Sequence, residues 1–126
     1  MGISRYFYSC GTFKDKIDGK NKIIVAGGIT SNNGKDETLK SSEIFDGERW
    51  QMGPDLPQPM CCGQIVTSNN NEKVLWIGGG DVVGEESNIS YGIYELSKEL
   101  DMWIELPHKM ETGRVFFAAM DVPDMC

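Results

Sequence analysis

The sequence predicts an all-β chain: two four-stranded antiparallel blades of a β-propeller, then the inner strand of a third. Three observations carry this. An apolar run closing on glycines occurs twice, as IIVAGG over 23–28 and LWIGGG over 75–80, so that Gly27 and Gly79, and Gly28 and Gly80, stand 52 residues apart. Each run is followed in the same order by an aromatic residue, a Trp and a Leu-Pro pair. Short β-branched and aromatic runs alternate with clusters of Gly, Asn, Asp and Pro, and no helical periodicity competes with them. A self-similar period of about 50 residues made of short strands is the signature of propeller blades.

The strands follow in order. In the first unit, strand A falls at about 5–13, B at 22–26, C at 42–45 and D at 49–52. In the second, A falls at 61–67, B at 73–77, C at 90–96 and D at 102–105. Arg114-Val115-Phe116-Phe117 resembles Arg5-Tyr6-Phe7-Tyr8, which makes 114–122 a third A strand. The units are then 1–57, 58–107 and 108–126, with no linker of different composition between them. Phe45 to Tyr94 is 49 residues, Trp50 to Trp103 is 53 and Leu56 to Leu106 is 50, so the insertions lie in the gaps. Asp46-Gly47 between C and D reads as a type I′ hairpin, whose central residues both need positive φ. Asp18-Gly19 and Asn69-Asn70-Asn71 turn A into B. Pro54, Pro57 and Pro59 sit between D and the next A, where no ladder donor is required.

In such a meander the A–B and C–D turns share one side. The B–C and D–A connections share the other, here 29–41, 53–60, 81–89 and 107–113. Loops on a rigid scaffold are where binding residues concentrate. The candidate binding residues are therefore Asp36, Glu37, Asp81, Glu85, Glu86 and His108. Their acidic character favours a basic protein partner.

These landmarks resemble the kelch repeat. The matching residues are Gly27-Gly28 and Gly79-Gly80 closing strand B, then Phe45 or Tyr94, then Trp50 or Trp103, then Leu-Pro. Arg5 and Arg114 open inner strands as a kelch Arg commonly does. Met60 or Cys61 stands where the second unit would carry that Arg, and Phe45 stands where a Tyr is usual. The resemblance implies a non-enzymatic protein-interaction module. Kelch propellers often serve as the substrate-recognition part of a cullin-based ubiquitin ligase or as an actin-associated scaffold. The alternative it implies is a fragment of a kelch-type enzyme, a copper oxidase or sugar epimerase, with its catalytic residues on other blades. The copper type needs two His and two Tyr, and this chain has one His.

Composition narrows the function classes. Net charge is −7, so the basic footprint of a nucleic-acid or anionic-membrane binder is missing. No apolar run approaches the ~20 residues that span a bilayer. No signal peptide is visible, and the four Cys (Cys10, Cys61, Cys62 and Cys126) are expected as reduced thiols in the cytoplasm. Leu, Ile, Val and Phe make up 29 of the 126 residues, above the range of disordered chains.

Gly78-Gly79-Gly80 follows a strand but lacks the third glycine of a dinucleotide loop and the Lys-Ser/Thr of a Walker loop, so no cofactor is expected. There is no C-x-x-C and one His, which excludes the usual zinc spacings. Cys10 and Cys62 fall at equivalent points of successive inner strands, as small apolar packing or as an oxidant-sensing thiol.

Overall fold

The computed structural model describes residues 2–68, 70, 72–81, 83, 88–90 and 92–107. The expected third inner strand lies outside these residues, as do Glu85, Glu86 and His108. The described residues contain twelve strands and no helix.

The first sheet is a meander. Strand β1 (Ser9–Lys14) pairs with β2 (Asn21–Ala26). A small hairpin follows, β3 (Ile29–Asn32) with β4 (Lys35–Thr38). The chain then returns as β5 (Ser42–Phe45) and β6 (Trp50–Met52), giving the order β1-β2-β5-β6. The second sheet repeats the plan with β7 (Gln64–Ser68), β8 (Lys73–Ile77), β11 (Ile93–Leu96) and β12 (Trp103–Glu105). Its B–C connection carries the short hairpin β9 (Gly80–Asp81) and β10 (Asn88–Ile89). The two B–C connections read as loops thus hold hairpins of their own. All pairings are antiparallel.

Inner strands start later than expected, at Ser9 and Gln64, because a left-handed residue interrupts each entry: Phe7 has φ 54° and Cys62 has φ 67°. Tyr6 and Cys61, one residue earlier, make isolated bridges to Ile29 and Gly80. The C–D turn also differs from a type I′ hairpin. Gly47 has φ 104° while Asp46 does not adopt positive φ. Its carboxylate instead accepts the N–H groups of Glu48 and Arg49 at 2.9 and 3.0 Å, an Asx turn over four residues.

The ladder registers correct the sequence alignment of the two units. Strand β2 ends at Ala26 before Gly27 (φ 65°) and Gly28 (φ 99°), whereas β8 ends at Ile77 before Gly78 (φ 72°) and Gly79 (φ 74°). The turning pair of the second unit is therefore Gly78-Gly79. Gly80 opens β9, and a Cβ there would lie 2.8 Å from Ile89 Cα. Phe45 pairs with Trp50 and Leu96 with Trp103, so Leu96, rather than Tyr94, is the counterpart of Phe45. Tyr94 instead matches Glu43, and Met60 matches Arg5. Ser9 faces Ala26 as Gln64 faces Ile77, which aligns Cys10 with Ile65 and Cys62 with Phe7. Cys10 and Cys62 are consequently not equivalent.

One core joins the sheets. Phe13, Ile24, Ala26 and Ile44 from the first meet Ile65, Val74, Trp76, Tyr94, Leu96 and Trp103 from the second, with Leu56 and Met60 of the connection between them. Gly11 lets β1 and β7 approach, since a Cβ there would fall 2.7 Å from the Ile65 methyl. The faces in contact are opposite ones: Trp76 and Trp103 occupy the positions of Val25 and Trp50, which point away from this core. The unused face of the first sheet is left partly open, with Ile23 37% and Met52 61% exposed and Cys10 exposed. Phe45 and Trp50 lie half-buried on it, ring centroids 5.1 Å apart.

Candidate functional site

The connections on the B–C side are tied together by a strip of backbone running from Met60 to Cys62. The N–H of Gly28 donates to Met60 O at 2.9 Å, and Met60 N–H donates to Leu39 O at 3.1 Å. Cys61 exchanges both backbone bonds with Gly80, at 2.7 and 3.0 Å, and Cys62 N–H reaches Phe7 O at 3.1 Å. This strip explains the glycines better than a phosphate cradle does. Gly27 and Gly79 have left-handed φ, and the carbonyls of Met60 and Cys61 fill the space a side chain would take.

Beneath the strip lies an ion pair that sequence reasoning missed. Arg5, 7% exposed, sends Nη1 to the carbonyls of Gly27 and Ser41, both at 2.9 Å, and Nη2 to Glu43 Oε2 at 2.7 Å. Glu43 is 2% exposed and also accepts the Gly2 N–H at 2.5 Å. Burial pushes the Glu43 carboxyl up, but the Gly2 N–H and the Arg5 guanidinium outweigh it and hold it below the ordinary value. Arg5 therefore staples the N-terminal segment onto the glycine turn. The sequence held one signal for it: Arg5 opens the first inner strand, and Glu43 is a lone charge inside the expected strand 42–45.

The expected binding residues separate into two kinds. Asp36 and Glu37 project from β4 and are exposed. Asp36 accepts a hydrogen bond from the Tyr6 hydroxyl, whose pKa is raised by partial desolvation and by that carboxylate. Asp81 is structural, because its Oδ1 accepts the Thr38 hydroxyl at 2.7 Å and the Val83 N–H at 3.2 Å, linking the two hairpins. Beside this acidic edge Tyr6, Phe7 and Tyr8 are 39%, 53% and 40% exposed, an aromatic group the sequence reading assigned to strand alone.

The far side, with the A–B turns, carries its own clamp. Lys22 Nζ meets Asp15 at 2.6 Å and Asp18 at 2.9 Å. These hydrogen bonds raise the Lys22 pKa. Among the described residues no group of three or more His, Cys, Asp or Glu side chains is arranged to hold a metal ion. No helix of these residues is long and apolar enough to cross a membrane. Neither a family model nor a curated protein matches the chain.

Proposed function

We propose that this chain is part of a kelch-type β-propeller acting as a non-enzymatic protein-interaction module in the cytoplasm. Such a ring serves as a recognition or scaffold element, of the kind found in cullin-RING ligase adaptors or actin-associated proteins. The observation that carries the reading is the stacking of two like meanders through opposite faces, each turning on a left-handed glycine pair after its second strand. Opposite-face stacking lets a further unit add to each side, whereas a two-layer sandwich uses like inner faces and stops. The half-open face bearing Ile23, Phe45 and Trp50 is the surface an adjoining blade would cover.

The partner surface in this reading is the B–C side, where exposed Asp36 and Glu37 stand beside Tyr6, Phe7 and Tyr8. Aromatic anchors with a charged rim are the usual composition of a binding patch, and the carboxylates favour a basic partner. Affinity capture followed by mass spectrometry tests this. The wild-type chain should recover a protein that the Asp36→Lys/Glu37→Lys variant loses. Equal recovery by both would refute the assignment of the site.

A further inference from the structure

We propose that Cys61 and Cys62 form a vicinal dithiol that hydrogen peroxide converts reversibly to an intrachain disulfide, loosening the seam between the two sheets. The left-handed φ of 67° at Cys62 turns both side chains to the same side of the strip, and the two sulfurs stand 2.9 Å apart. That is closer than non-bonded sulfurs normally rest, and among the described residues the remaining cysteine, Cys10, lies exposed on the open face of the first sheet. The pair is 0% and 5% exposed and lies in a small apolar cluster with Ile29, against which Val83 packs. Such enclosure favours a small oxidant such as hydrogen peroxide over one of glutathione size.

The local chemistry orders the steps. Burial pushes the Cys62 thiol up to about 12, so it keeps its proton and donates it toward Cys61 Sγ. Cys61, whose sulfur accepts the Cys62 S–H, is the attacking sulfur. It attacks one peroxide oxygen, the O–O bond breaks, the thiol proton of Cys61 passes to the released oxygen, and water leaves. The resulting sulfenic acid on Cys61 is attacked by Cys62 sulfur. The S–O bond breaks, the Cys62 proton goes to the departing oxygen, and a second water leaves. Two thiols and one peroxide give one disulfide and two waters.

Adjacent Cα atoms across a trans peptide are about 3.8 Å apart, below the usual span of about 4.4–6.8 Å for a bridged pair. The ring must therefore bend the 61–62 peptide. That peptide holds the bonds to Gly80 and to Phe7, so closure loosens both sides of the seam. Strained bridges are the readily reduced ones, which makes the change reversible.

The wild-type protein is treated with hydrogen peroxide, unfolded, alkylated and read by mass spectrometry. The peptide carrying Cys61 and Cys62 should lose two hydrogens and resist alkylation until dithiothreitol is added. In Cys62→Ser, dimedone should trap a sulfenic acid on Cys61. Amide exchange at Cys62 and Gly80 should accelerate in the oxidised protein. Full alkylation of both thiols after peroxide, or a product that is only an intermolecular disulfide or a sulfonic acid, would overturn the proposal. Unchanged exchange at Cys62 and Gly80 in a fully oxidised sample would overturn its coupling to the seam.

Discussion

Removing the charge of Glu43 while keeping its shape isolates what the buried ion pair does. In Glu43→Gln the Arg5 side chain, 0% exposed, loses its counter-charge. Breaking a buried pair from one side costs about 3–5 kcal/mol. The amide oxygen still accepts one hydrogen bond, which places this variant near the lower end, about 3 kcal/mol. Against a domain stability of about 5–15 kcal/mol, that is a large fraction.

The chain itself supplies the compensating pair. Met60 and Tyr94 occupy the positions of Arg5 and Glu43 in the second unit, where both are buried without charge. Arg5→Met combined with Glu43→Gln removes both charges, so the double variant should recover most of the loss. Urea unfolding of the four proteins gives the cycle. The two sites should couple by about 2–3 kcal/mol. Single losses under about 1 kcal/mol, or additive losses, would refute it. The pH dependence has a definite sign. Glu43 is held below its ordinary value of 4.5 when folded. The wild-type advantage is then fully present above the unfolded pKa, and it disappears as pH falls through the lower folded value. Glu43→Gln should lack this part of the acid limb.

The two strand-D tryptophans should differ. Trp103 is 6% exposed, and its truncation to Ala should cost about 3–5 kcal/mol. Trp50 is half-buried on the open face, so Trp50→Ala should cost roughly half as much, read by thermal or urea unfolding. Gly79→Ala should be destabilising by more than about 1–2 kcal/mol, because φ is 74° and the Cys61 carbonyl occupies the Cβ site. Gly19→Ala has positive φ with open space around it, and should show the smaller strain alone. Thr38→Val should detach the second hairpin from the first, visible as faster amide exchange at Val83, whose N–H shares Asp81 Oδ1.

Strand identity was legible because it rests on local pattern. Strands β2, β5 and β8 match or nearly match their expected bounds, since Ile23-Ile24-Val25 and Val74-Leu75-Trp76 are apolar and bounded by turn residues. Register was not legible. Three consecutive glycines offered two ways to place the pair, and only the ladder showed that Gly78 and Gly79 make the turn while Gly80 enters a strand. The same slip hid the equivalence of Glu43 with Tyr94, because a Glu and a Tyr share no local signature. The candidate acids divided for a comparable reason. Asp36 and Asp81 look alike in sequence, yet one faces solvent and the other is occupied by Thr38, 43 residues away.

By itself the sequence determined that the described residues are all-β, that they include two like four-stranded units, and where most of their strands fall. Those properties follow from side-chain alternation and from backbone freedom at Gly and Pro, which act over a few residues. The tertiary structure alone decided which faces meet, that an Arg5–Glu43 pair is sealed beneath the first glycine turn, and that Cys61 and Cys62 lie on the seam. These depend on contacts between segments about 20–55 residues apart, whose register no local preference encodes.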